Sequence, residues 1–126
     1  MAREKKQYPT EKELAILKVL WSRGPSTVRQ VNDQIGQTHK TGYTTTLKLM
    51  QIMTDKGLLT RDDTPFKHIY KPAVSEEITQ QQIVANMLDT VFAGSAEKLV
   101  MRALDTRQVS PEELKKIRQL LDQMEE

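Results

Sequence analysis

The chain contains no cysteine. Disulfides, thiolate metal sites and cysteine nucleophiles are therefore excluded. Aromatics are scarce, at 5% of residues, so a core must come mainly from aliphatic and methionine side chains. No apolar run approaches the roughly 20 residues that a membrane-spanning helix needs. The opening Met-Ala-Arg-Glu-Lys-Lys has no hydrophobic stretch behind it, so a signal-peptide pattern is missing. The expectation is a cytoplasmic protein without membrane insertion.

Recognisable catalytic chemistry is also missing. There is no glycine-rich phosphate loop, nucleophile elbow or zinc-hydrolase helix. The two histidines, His39 and His68, fall in a turn and a strand, away from carboxylates at ligand spacing. They read as surface or DNA-facing residues. The acid pairs Asp62-Asp63, Glu76-Glu77 and Glu112-Glu113 fall at a turn or at helix starts. At helix starts, carboxylates stabilise the positive end. No enzyme, metal or cofactor is expected.

The 126 residues suffice for one compact domain, or a small domain plus an oligomerisation element. Charge is distributed unevenly. Residues 1–72 hold 13 basic and 7 acidic side chains, a net of +6, while 73–126 hold 6 and 10, a net of −4. A basic front half fits a nucleic-acid-facing module, and an acidic back half fits a module facing something else.

Residues 1–8 read as a flexible polar arm. Thr10 and Glu13 then form a capping-box pattern for a helix to about Arg23. Leu14, Leu17, Leu20 and Trp21 are its expected inward residues, and Gly24-Pro25 stops it. Ser26 or Thr27 caps a short second helix with Val28, Val31 and Ile35 buried. A polar turn spans Gly36 to Gly42. A third helix covers roughly Tyr43 to Lys56, and Gly57 ends it where a left-handed cap is easiest. Two strand-like stretches follow, residues 58–61 and 68–71, with Asp62-Asp63-Thr64-Pro65 as the turn. Pro72 closes the hairpin. Three helices and a hairpin are the order of a winged helix-turn-helix domain, assigned to residues 1–73.

The third helix carries the functional signal. Thr46, Leu49, Met50 and Met53 recur at helical spacing as an apolar stripe. Thr44, Leu47, Lys48 and Gln51 fall on another face. Hydroxyls and amides can hydrogen-bond base edges, lysine can reach a guanine or a phosphate, and an apolar side chain can cover a thymine methyl. Candidate DNA contacts are Thr44, Thr45 and Lys48, then Tyr43, Leu47 and Gln51. Lys40 before the helix, and Arg61, Lys67 and Lys71 on or beside the hairpin, are candidate phosphate contacts.

Residues 74–126 read as helical. Ser75 caps a helix reaching Phe92, with Val84, Met87, Leu88, Val91 and Phe92 on one face. Gly94-Ser95 breaks it. A fifth helix carries Leu99 and Val100. Ser110-Pro111-Glu112-Glu113 starts a sixth with Leu114, Ile117, Leu121 and Met124 in register. Three short amphipathic helices bury little alone, which points to a dimerisation region.

In order and spacing the chain resembles the BlaI/MecI family of penicillinase repressors, from about Thr10 to Leu121. The matching residues include Glu13-Leu14 and Leu20-Trp21, Ser26-Thr27-Val28 with Val31, and Thr45 with Leu49-Met50. Lys56-Gly57-Leu58, Tyr70-x-Pro72, Phe92-x-Gly94, Leu99-Val100 and Ser110 to Leu114 complete the match. The resemblance implies a homodimeric winged-helix repressor on palindromic operator DNA, often relieved when a membrane-bound BlaR-type sensor protease causes cleavage in the dimerisation region. Two departures stand out. Thr44, Leu47 and Ile52 replace basic residues common in the recognition helix, which implies a different operator. The family's cleaved Asn-Phe bond aligns near Arg102-Ala103, and no Asn-Phe occurs in this chain. The copper-responsive CopY branch uses a cysteine motif, so sensing by that route is excluded. The competing readings are a winged-helix protein-interaction adaptor without DNA binding and a small-molecule-sensing regulator. No convergent polar pocket signature favours the latter.

Overall fold

The computed structural model describes residues 8–37 and 41–126. The polar arm, His39 and Lys40 fall wholly or almost wholly outside them. The chain forms two compact units, the second being Val84–Glu126.

In the first unit, α1 (Glu11–Arg23), α2 (Val28–Ile35) and α3 (Tyr43–Asp55) precede strands β1 (Leu59–Asp63) and β2 (His68–Pro72). This is a winged helix-turn-helix. Capping fixes its helix starts. The Thr10 side chain accepts from the Glu13 amide, and the Glu13 carboxylate accepts from the Thr10 amide. Thr27, not Ser26, caps α2 through the same reciprocal arrangement with Gln30. Gly57 follows α3 with φ +83°, the left-handed conformation that glycine tolerates best. Its amide donates to the Thr54 carbonyl, and the Leu58 amide donates to the Met53 carbonyl.

The core joins Ile16, Leu17 and Leu20 of α1 to Val28, Val31 and Ile35 of α2 and to Met50 and Met53 of α3. Leu58, Leu59 and Tyr70 close it from the hairpin. The α1 expectation needs correction. Ile16 and Glu13 are buried, while Leu14 and Trp21 are only half-buried. The Trp21 indole instead donates to the Val74 carbonyl at 3.0 Å, tying α1 to the chain leaving the hairpin. Ser26 exchanges backbone hydrogen bonds with Tyr70, which adds a bridge to the two-stranded sheet.

The hairpin is longer than the sequence suggested. Asp62 and Asp63 belong to β1, and Asp63 lies opposite His68. The turn is therefore Thr64–Lys67. Lys67 donates its amide to the Thr64 hydroxyl, and Thr64 donates its amide to the Lys67 carbonyl.

Thr46 fixes the angle between the helices of the turn motif. Its buried hydroxyl donates to Asn32 Oδ1 at 2.7 Å, joining α3 to α2. Thr46→Val keeps the shape but strands the Asn32 oxygen. The expected cost is about 1–2 kcal/mol, measured as a lower urea midpoint at an unchanged slope. A variant as stable as the parent would remove this bond from the account.

Helix α4 (Glu76–Thr90) runs from the first unit into the second. Ser75 caps it by accepting from the Ile78 amide at 3.1 Å. The helix ends at Thr90, short of Phe92, and Ala93 and Gly94 turn the chain with positive φ. The second unit continues with α5 (Ala96–Thr106) and α6 (Pro111–Glu125), capped by Ser95 and Ser110. Among the described residues of α5 and α6, none is buried.

Candidate nucleic-acid interface

Helix α3 presents two faces. Thr46, Met50 and Met53 are buried, and Leu49 packs against the core from a half-buried position. Tyr43, Thr44, Thr45, Lys48 and Gln51 are exposed together with Ile52. Leu47 departs from the expected free apolar contact. It is half-buried and packs on the core, so only part of it faces outward. The exposed side chains sit on a helix whose opposite side is locked into the core. That is the condition for presenting a fixed pattern of donors and acceptors.

An open cleft of about 470 Å³ lies between α3, the start of α2 and the wing. Tyr43, Leu47, Arg29, Phe66, Lys67 and His68 are among its lining residues. Arg29 places its guanidinium 5.7 Å from the centre of the Tyr43 ring, within range of a cation–π contact. Sequence reading missed Arg29 and Phe66. The α2 stripe of Val28, Val31 and Ile35 leaves Arg29 on the outer side, but no local pattern reveals Tyr43 as its neighbour.

The wing's cations are not equivalent. Arg61 Nε lies 2.7 Å from Asp63 Oδ1, so its charge is already paired. His68 Nδ1 lies 2.7 Å from the same oxygen. This corrects the expectation that His68 stands apart from carboxylates. Strand register brings together residues five apart. The His68 contact does most to hold the Asp63 pKa below its usual value, with Arg61 adding to it. Lys67 and Lys71 are exposed on the hairpin. Among the described residues, no cluster of three or more potential metal ligands occurs. Within the same residues, no helix is long and apolar enough to cross a membrane.

The candidate dimerisation residues divide by exposure. Val84, Met87, Val91, Val100 and Leu121 are exposed, with Val91 at 68%. Leu88, Phe92, Leu99, Leu114 and Ile117 are half-buried. Met101, Leu120 and Met124 add further exposed apolar surface.

Fold and interface together define a winged helix-turn-helix DNA-binding regulator. A family model for the penicillinase repressor matches residues 9–123. The chain belongs to the penicillinase repressor family. Its sequence is 21% identical over 114 residues to the penicillinase repressor of Bacillus licheniformis, spanning 90% of this chain and 89% of that protein. Among solved structures it is similar to a MarR family protein from Bacillus stearothermophilus. That match has a TM-score of 0.48 at 21% identity and covers 94% of this chain and 78% of the other. It is also similar to a probable transcriptional regulator from Pseudomonas aeruginosa, with a TM-score of 0.44 at 20% identity and coverage of 91% and 77%. Family membership makes the chain a DNA-binding transcriptional repressor and not an enzyme.

Proposed function

We propose that the chain represses transcription as a homodimer bound to a palindromic operator. The observation that carries this reading is the exposed polar face of α3, Thr44, Thr45, Lys48 and Gln51, on a helix anchored by buried Thr46, Met50 and Met53. Two copies would set these helices in successive major grooves, about 34–36 Å apart. Thr44, Thr45 and Lys48 read bases or grip the adjoining phosphates, with Tyr43, Gln51 and the outer part of Leu47 beside them. Lys40, Lys67, Lys71 and Arg61 contribute sequence-independent affinity, Arg61 least because Asp63 pairs it. Residues 1–73 act as the reading module and 74–126 as the dimerisation module. Relief follows loss of the dimer. A membrane sensor protease acting on the second unit would achieve it, at a bond other than Asn-Phe.

Fluorescence anisotropy across a salt series tests the proposal. The protein should bind the DNA upstream of its own gene tightly, as two protomers per site, and scrambled DNA weakly. Equal weak binding to both, vanishing with salt, would overturn it for that DNA and favour a protein-interaction role. Lys48→Ala should lower operator affinity about tenfold and relax preference at one base position. Unchanged affinity for both operator and random DNA would remove Lys48 from the interface.

A further inference from the structure

We propose that Phe66 is an apolar wedge by which the wing enters the DNA minor groove beside each half-site. This rests on the operator-binding reading above. Phe66 is 95% exposed at the hairpin tip, whereas Tyr43, another exposed aromatic, is only 45% exposed. Folding gains almost nothing from a phenylalanine left in water, so the fold does not account for this residue. The turn that carries the ring is closed all the same. Pro65 before Phe66 has a restricted φ, and the reciprocal Thr64–Lys67 hydrogen bonds close the turn around it.

Its position relates it to DNA. Phe66 lines the same cleft as Tyr43, Arg29 and Lys67, at the start of α3. The carboxylates Asp55 and Asp63 line a different cleft, with Gln51, Thr54 and Arg61. Asp63 reaches the Phe66 side only through His68, whereas Arg29 and Lys67 on that side make no ion pair among the described residues, and a polyanion would meet them there. Charge alone gives the wing a weak grip, because Arg61 is neutralised by Asp63 and Asp62 lies next to it. An aromatic ring supplies what the charges do not. Apolar wedges can slip between base steps from the minor groove and partly unstack them.

The test starts from a duplex selected out of a random-sequence library by the full-length protein. If no sequence is enriched, the operator reading itself has failed, independently of Phe66. On an enriched duplex, Phe66→Ala should lower affinity about tenfold at every salt concentration, leaving the salt slope unchanged. Lys67→Ala should instead make the slope shallower by about one. A 2-aminopurine scanned through the steps flanking the half-site should brighten with the parent protein and stay dark with Phe66→Ala. Thermal melts of Phe66→Ala should match the parent, since the ring is in water. Unchanged affinity with no 2-aminopurine response at any step would overturn the proposal and leave a protein contact as the use for the ring.

Discussion

Placing aspartate at both Val91 and Leu99 should convert the proposed dimer into monomers and lower operator affinity by about two to four orders of magnitude. The size of the effect comes from the arithmetic of two linked half-sites. Once one protomer is bound, its partner meets the second half-site at a high effective concentration, and a monomer forfeits that advantage. The target follows from exposure. The second unit carries Val84, Val91, Val100, Leu121 and Met124 in water, and among the described residues of α5 and α6 none is buried. Short helices of this kind draw most of their stability from a packed apolar face. In the proposed dimer a second copy would supply such a face, and a charge placed within it would be desolvated without a partner. Sedimentation should report monomers while the winged unit retains its helical circular dichroism signal. The single variant Val91→Asp, at a site outside the helices, separates dimer loss from helix unfolding. An intact dimer in the double variant would place the interface elsewhere. Monomers with unchanged operator affinity would remove dimerisation from the mechanism.

The elements of this fold were legible because their signals are local. Thr10 with Glu13, Ser75, and Ser110 with Pro111 mark helix starts within four residues, and each functions as a cap or first-turn residue in the structure. Gly57 marks the exit of α3 in the same way. What remained hidden depends on partners distant in sequence or on strand register. Asp63 looked like a turn residue until pairing placed it opposite His68. Arg29 meets Tyr43 only because α2 and α3 pack together. Phe66 would pass as a core residue by type, and only the tip of the hairpin leaves it in water. The candidate DNA face shows the same division. The two stripes of α3 are periodic and could be read directly, but the depth at which Leu47 sits is set by its packing against the core.

Glu13 is the sharpest case, and it carries the second large prediction. A glutamate at a helix start usually lies at the surface. The Glu13 side chain is instead only 3% exposed, with Lys56 Nζ 2.9 Å from Oε2 and 3.1 Å from Oε1. The pair ties the start of α1 to the residue just after α3. Thr46 and Asn32 hold the first half of the recognition helix, and Glu13 and Lys56 hold its end. Glu13→Ala should therefore destabilise the winged unit by about 2–4 kcal/mol, through loss of the capping box and of a largely buried ion pair. Burial pushes the Glu13 pKa up. The Thr10 amide and Lys56 pull it down and prevail, leaving it below its ordinary value. A lowered folded-state pKa sets the sign of the pH effect. The ionised carboxylate stabilises the fold fully above the ordinary glutamate pKa, and that stability is lost as pH falls through the lowered value. Urea midpoints of the parent and of Glu13→Gln should differ most at neutral pH and converge as pH drops through the carboxylate range. Lys56→Met should also be destabilising, because it leaves the buried carboxylate with the Thr10 amide but without its cation. A Glu13→Gln variant that matches the parent at neutral pH would show that a neutral side chain serves the cap and the Lys56 contact equally well, and would remove the charge from the account.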